Sequence, residues 1–298
     1  MTDKPGMIDT LRILNPAPGI FAYYDGRIAG RRLYSEKANW LDDGAYSLGV
    51  ASYAIVDGRQ ALIHDTHISL DHARAIRAHV EGLGARDIRV VLSHWHDDHI
   101  AGNAVFADCE IISLKLTADR LTDNRAEIEK ADPPICPLVM PTTTFEERLD
   151  LSVGRRRVEL AHFAIHSADG NVIRLSDEGL MLAGDTVEDT ITYISEPEEI
   201  ARHIDELERM AKLPIERILP AHGDPQRIAD GGYARSLIRA NQSYLHRLTA
   251  AISKGETVEP SLKSFIADDL ASGAAIYFEP YEAVHEKNIA RVKTALGK

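Results

Sequence analysis

One stretch constrains this chain more than any other: Leu92-Ser93-His94-Trp95-His96-Asp97-Asp98-His99-Ile100-Ala101-Gly102. It follows the apolar run Ile88-Arg89-Val90-Val91-Leu92, which reads as a buried strand, so the histidines and aspartates fall on a strand-end loop. In an extended segment His94 and His96 project to the same side, and both imidazoles reach one ion. A turn at Asp97 brings Asp98 and His99 toward a neighbouring ion. Imidazole and carboxylate without thiolate suit zinc first, with iron, manganese or cobalt as alternatives. Polar loops also carry histidines without binding metal, so the reading requires further ligands at other strand ends.

Three such places follow. His166 comes after the strand end Phe163-Ala164-Ile165, Asp185 lies in Leu182-Ala183-Gly184-Asp185-Thr186, and His222 lies in Leu219-Pro220-Ala221-His222-Gly223. Taken singly, an Asp after Gly is an ordinary turn residue and a His before Gly an ordinary loop residue. His162 is the nearest substitute for His166, but it falls inside its strand.

The intervening chain alternates strands and helices. Hairpin signals appear at Phe21 to Tyr24 leading into Asp25-Gly26, and at Ala51 to Val56 leading through Asp57-Gly58 into Ala61 to His64. Asp71 to Leu83 reads as a helix, Glu110 to Leu114 as a strand, and Leu116 to Lys130 as containing a polar helix that stops before Pro133-Pro134. Pro133 to Thr144 looks like a surface loop. Leu149 to Val153, Arg157 to Ile165 and Asn171 to Leu182 read as strand segments, and Arg217 to Pro220 as a short strand. Pro197 to Leu213 is an amphipathic helix, with further helices at Gly232 to Ser253 and Tyr281 to Leu296. The expected class is α/β, with two mixed sheets packed together and helices outside. A dinucleotide-binding fold is disfavoured because no Gly-x-Gly-x-x-Gly follows a strand.

Together the four ligand-bearing places resemble the metallo-β-lactamase superfamily, whose His-x-His-x-Asp-His, then His, Asp and His, run in this order over roughly residues 45 to 225. The resemblance implies an αβ/βα four-layer sandwich, with residues 1–231 as the family domain and 232–298 as a carboxy-terminal helical extension packed on it. It also implies two divalent metal ions. His94, His96 and His166 would hold the first, Asp98, His99 and His222 the second, and Asp185 would bridge them. The sequence departs from the commonest family form at Ile165 and at Ser167-Ala168-Asp169-Gly170, where Gly before the third His and Thr-x-Gly after it are usual.

The resemblance further implies a shared water whose pKa the ions lower, attack on a polarised carbonyl, and Asp98 as the catalytic residue that orients the nucleophile and relays its proton. His67, after the family-like Asp65-Thr66, and Tyr193, by analogy with related lactonases, are candidate substrate contacts; ordinary packing is the plain alternative for both. Trp40 and Trp95 are candidate pocket walls. His64, His67 and His72 otherwise read as a polar loop, and His285 as structural.

Composition narrows the substrate. Lys plus Arg number 34 against 46 Asp plus Glu, a formal charge of −12, which disfavours phosphate backbones and anionic lipid surfaces. A small molecule is expected rather than nucleic acid or membrane. Cys109 and Cys136 are too few for a disulfide framework and read as structural thiols. The start MTDKPGMIDTLRIL lacks a signal-peptide pattern, so a cytoplasmic protein is expected. The favoured reaction is hydrolysis of an ester, lactone or thioester. The alternatives are a β-lactam hydrolase, a mononuclear-iron sulfur dioxygenase and a metal-stabilised binding protein; His96, where diiron flavoproteins usually place Glu, speaks against that diiron chemistry. The tail beyond Gly231 is expected to cover the pocket or to form a contact between copies in a homo-oligomer.

Overall fold

Period-2 burial in the first half of the chain builds a sheet whose two faces feed different layers. The computed structural model describes residues 6–298, so the first five residues of the amino-terminal reading lie outside it. Strands β1 (Arg12–Ala17), β2 (Ile20–Asp25), β3 (Val50–Asp57), β4 (Gln60–His64), β5 (Asp87–Val91), β6 (Glu110–Leu114) and β7 (Thr143–Phe145) lie side by side in chain order. β1 to β4 pair antiparallel and β4 to β7 parallel. Ala54, Ala61, Ile63 and Val90 face one way, toward helices α1 (Leu70–Gly82), α3 (Lys115–Asp123) and α4 (Arg125–Ile128); the single turn α2 (Asp97–Ile100) follows β5 in the chain. Tyr53, Ile55, Leu62 and Val91 face the other way, into the interface with the second sheet.

The second sheet has β8 (Arg148–Val153), β9 (Arg156–His162), β10 (Asn171–Leu175), β11 (Leu180–Gly184), β12 (Arg217–Pro220) and β13 (Tyr233–Ala234) in the order β13-β12-β11-β10-β9-β8. Only β11 and β12 run parallel. Its outer face is covered by α5 (Ile200–Met210), through Ile204, Leu207 and Met210, and by α7 (Ser236–Ser253), through Leu237, Tyr244 and Leu248. Two mixed sheets thus lie between helical layers, the α/β sandwich expected. After α6 (Pro225–Ala229) and α7, the short helices α8 (Leu262–Phe265) and α9 (Ala267–Ala271) lead to α10 (Tyr281–Ala295), whose Tyr281, Val284 and Val292 join the same core. Among the described residues no helix is long and apolar enough to cross a membrane.

Three local readings need correction. The first hairpin turns at Pro18-Gly19, with Ala17 paired to Ile20, not at Asp25-Gly26. Asp25 instead ends β2, where its carboxylate accepts from Gly26 N, Thr10 Oγ1 and His72 Nε2, and the chain leaves on an excursion to residue 49. That excursion holds the π-helical turn Trp40–Tyr46, pinned by the buried Asp42, which accepts from the N–H groups of Leu33 and Ser35. The helix expected in Leu116 to Lys130 is broken at Asn124, and the loop to Thr144 ends in edge strand β7.

Candidate metal centre

Parallel strands end on the same side, and the ligand loops leave from those ends. β5 runs into His94, β11 into Asp185 and β12 into His222, while His166 follows β9. Gly184 brings the two halves together. It has φ of +52°, and a Cβ there would meet Ser93 Cβ at 2.7 Å, so only glycine lets β11 approach the residue before His94 this closely. His166 itself has φ of +65°, a costly conformation for a non-glycine residue. Its backbone is held by a bridge between Ile165 and Ser167 and by Ser195 Oγ, which donates to His166 O.

Seven side chains expected from the sequence come together as two overlapping groups. Ligand atoms of His94, His96, His166 and Asp185 lie within 4.8 Å of one another, as do those of Asp98, His99, Asp185 and His222. In the first, His96 Nδ1 lies 2.8 Å from His94 Nε2 and 3.0 Å from His166 Nε2, and Asp185 Oδ2 lies 3.6 Å from both Nε2 atoms. In the second, Asp185 Oδ2 is 3.2 Å from His99 Nε2 and 3.4 Å from His222 Nε2, while Asp98 Oδ2 is 3.2 Å from His222 Nε2. Two nitrogens each about 2.05 Å from a tetrahedral zinc stand roughly 3.3 Å apart, so each group is spaced closely enough to hold an ion.

The donor chemistry fits a divalent cation. Nδ1 of His222 donates to Gly49 O (2.7 Å), that of His166 to Tyr193 O (3.0 Å), and that of His99 to the Asp65 carboxylate (2.8 Å). Each of these bonds fixes the tautomer that leaves the Nε2 lone pair aimed inward. Asp185 Oδ1 is buried and without a hydrogen-bond partner, an unsatisfied anionic oxygen on the residue that the two groups share. His162, the substitute considered for His166, donates instead to Ala168 O outside the cluster.

The groups differ electrostatically. Burial and the imidazoles of His99 and His96 hold His94 well below its ordinary pKa, and burial with His166 brings His96 to about 3, so both are neutral donors. Burial opposes protonation of His99 and His222 too, but the Asp185 and Asp98 carboxylates outweigh it and raise both. The carboxylates respond in kind: burial is outweighed by His99 and His222, and Asp98 and Asp185 fall below the usual range. The first group is imidazole-rich and the second carboxylate-rich.

A pocket of about 750 Å³ opens onto the cluster through His96, Asp98, His166, Asp185 and His222. Trp40, from the excursion, and Trp95 line it, as does Tyr193, whose hydroxyl accepts from Arg291 Nη1 at 2.5 Å. The tail supplies one wall through Pro280, Ala283, Val284, Lys287 and Arg291.

His67 is not placed to touch substrate. It is fully buried, its Nε2 donates to Tyr23 O, its Nδ1 accepts from Ile68 N, and its ring stacks on His72 with centroids 4.4 Å apart. His72, in turn, pairs with Asp25 at 3.0 Å, so these histidines form a buried structural layer, not a polar loop. His285 is likewise structural, between Tyr244 Oη and Glu259 O.

Sequence reasoning missed the residues behind the ligands. Asp65, left-handed at φ +67°, accepts from Ser93 N (2.6 Å) through one oxygen and from His99 through the other, tying the loop's start to its last ligand. Glu188 stands 3.3 Å from His166 Nδ1 and accepts from Tyr193 N. The Asp65-Thr66 pair was the one signal for the former.

Known proteins and solved structures resemble this chain. A relative, the atrochrysone carboxyl ACP thioesterase of Passalora fulva, is 30% identical over 183 residues, covering 59% of this chain and 48% of that protein. The chain therefore spans about half the length of that relative. The acyl-coenzyme A thioesterase MBLAC2 of Gallus gallus is 25% identical over 211 residues, 61% of this chain and 76% of that protein. Among solved structures, a metallo-beta-lactamase from Pontibacter korlensis superposes with a TM-score of 0.61 at 16% identity over 80% of this chain and 99% of its own, and VMB-1 at pH 5.5 with 0.61 at 15% over 80% and 97%. At such identities the likeness is one of fold. The metallo-beta-lactamase superfamily model matches residues 46–222, from the excursion's end to the last of the seven clustered side chains, and the chain belongs to that superfamily.

Proposed function

We propose that this metal-dependent hydrolase binds two divalent ions, zinc first, and cleaves an ester, lactone or thioester of a small molecule, with a thioester the favoured substrate. The observation that carries the reading is the pair of ligand groups sharing Asp185, whose second oxygen is buried and unpaired. Support for a thioester comes from the two relatives, both thioesterases by name, and from a pocket with apolar walls suited to an acyl chain.

When bound, the ions supply Lewis acidity toward the scissile carbonyl and a water of lowered pKa. The chain's own residues do the rest. Asp98, kept ionised by His99 and His222, presents carboxylate oxygens at the pocket floor, where they accept the nucleophilic water's hydrogen and hold it in line with the carbonyl. Tyr193 Oη accepts from Arg291 and so keeps its own proton free to donate to the carbonyl oxygen as negative charge develops there. Trp40, Trp95 and the α10 wall narrow the opening and exclude water.

A panel of thioesters, esters, lactones and β-lactams assayed with zinc-loaded protein tests the reading. Highest kcat/KM on a thioester is expected. Turnover of β-lactams alone, or oxidation of a sulfur compound by iron-loaded protein without any hydrolysis, would overturn it.

A further inference from the structure

Helix α10 lies beyond the part of the chain matched to the superfamily, yet it forms a wall of the pocket. Its pocket-lining residues Ala283, Val284, Lys287 and Arg291, with Pro280 just before its first turn, recur at helical spacing and make one stripe. The stripe begins apolar and ends in two cations four residues apart. Glu279, at its start, stands about 18 Å from Arg291 along the helix at 1.5 Å per residue, too far to neutralise it.

Neither Lys287 nor Arg291 has a carboxylate within 4.0 Å among the described residues, although acidic residues exceed basic ones by 12 in the chain. Arg291 is the telling one. It is half-buried, it donates only to uncharged oxygens, Tyr193 Oη and Ser195 O, and its Nε is buried without any partner. A guanidinium carries five donors, so each terminal nitrogen retains an unspent N–H. Holding a partly desolvated cation without an anion costs free energy that a bound anion restores. Arg291 and His166 also both neighbour Tyr193, the guanidinium carbon 5.1 Å and the imidazole centroid 6.2 Å from the centroid of its ring, so one aromatic residue links the cation to the first ligand group.

We propose that Lys287 and Arg291 form the seat for an anionic group of the substrate, a carboxylate or a phosphate, and that the enzyme prefers esters or thioesters bearing such a group over neutral ones. This rests on the reading of the pocket as the place where an ester or thioester binds. The acyl chain then lies along Pro280, Ala283 and Val284, the scissile carbonyl meets the ligand cluster, and the anion pairs with the cations at the end of the stripe. The seat belongs to the tail and not to the superfamily core, which makes α10 the element that sets substrate choice on a shared centre.

The test uses ligands that cannot be hydrolysed, so that it does not depend on turnover. Calorimetry on metal-loaded full-length protein compares two matched pairs of thioethers. S-methyl phosphopantetheine against S-methyl pantetheine places a phosphate on the thiol side; S-(4-carboxybutyl)-N-acetylcysteamine against the corresponding methyl ketone, S-(5-oxohexyl)-N-acetylcysteamine, places a carboxylate on the acyl side. One anionic member is expected to bind at least about tenfold more tightly than its neutral partner, and which pair shows it identifies the anion. Lys287→Gln, at an exposed position, is expected to reduce that preference severalfold, and Lys287→Gln with Arg291→Gln to abolish it, so that the two members of the pair bind alike. Raised salt is expected to weaken the anionic ligand alone. Equal binding within both pairs, or a preference that survives the double substitution, would overturn the seat. A preference that holds while no thioester or ester is turned over would leave the seat standing and refute the hydrolytic reading instead.

Discussion

Replacing Asp65 by Asn isolates the second ligand group with almost no change in volume. The carboxylate accepts two hydrogen bonds at once, from Ser93 N at 2.6 Å and from His99 Nδ1 at 2.8 Å. A carboxamide offers one acceptor oxygen and one NH2, so one of the two donors must face a donor. If the NH2 faces His99, the imidazole is pushed toward the tautomer that protonates Nε2, the atom aimed at Asp185 and Asp98. If it faces Ser93, the loop that begins the ligand cluster loses its anchor. Loss of a buried hydrogen bond to a charged group costs about 1.5–3 kcal/mol, equivalent to roughly 10- to 150-fold in a dissociation constant. That range brackets the 10- to 100-fold expected on removing a ligand's hydrogen-bond partner. Chelator competition at fixed pH, followed by elemental analysis, reads the effect. One equivalent of metal is expected to leave 10- to 150-fold more readily than from the parent, with the other retained, because His94, His96 and His166 do not touch Asp65. Parental retention of both equivalents would refute the assignment of Asp65, and simultaneous loss of both would refute the division into two groups.

Other perturbations address the chemistry and the scaffold. Asp98→Asn should lower kcat by roughly 10²- to 10⁴-fold with a smaller change in KM; steady-state kinetics showing near-parental kcat would remove Asp98 from its role. Gly184→Ala introduces a Cβ 2.7 Å from Ser93 Cβ at φ +52° and should cost about 1–3 kcal/mol, read as a fall in melting temperature. An unchanged melting temperature would show that the two halves do not need this close approach. His203, buried in α5, is depressed to about 4 by burial first and then by the charges of His166 and Arg202. Its folded value lies below the unfolded one, so the stability it contributes is complete above pH 6.5 and lost as pH falls toward 4, up to roughly 3 kcal/mol. Chemical denaturation of His203→Leu at pH 7 and pH 4.5 should show a shallower loss than the parent, and an identical loss would contradict the assignment.

The contiguous part of the site was legible because a strand end puts neighbours in sequence into one loop. His94 through His99 needed only strand periodicity and ligand chemistry. His166, Asp185 and His222 were legible because each follows an apolar strand, although Ile165 and the residues after His166 depart from the usual pattern. What stayed hidden works through contacts between distant segments. Asp65 and Glu188 act on imidazole nitrogens contributed by other segments, and apart from the Asp65-Thr66 pair nothing in their local sequence distinguishes them from turn or surface acids. His67 misled because its place after Asp65-Thr66 suggests a loop near substrate, whereas its own φ of +70° turns the ring inward onto His72. Asp25-Gly26 imitated a hairpin turn for a similar reason: the Asp is kept for a buried pairing with His72, and the turn is made by Pro18-Gly19. The sheets and long helices followed hydrophobic period. A tail covering the pocket is the sequence expectation, but which residues of α10 face the pocket was not legible, since positions on a helix surface read alike whether they face solvent or a cavity.

The central claim is that these seven side chains hold two ions, and metal stoichiometry with site location tests it most directly. Anomalous diffraction from crystals of zinc-loaded protein, paired with elemental analysis, should give two ions per chain, one among His94, His96 and His166 and one among Asp98, His99 and His222, with Asp185 between them. A single ion per chain at full loading, or metal bound away from these residues, would contradict it.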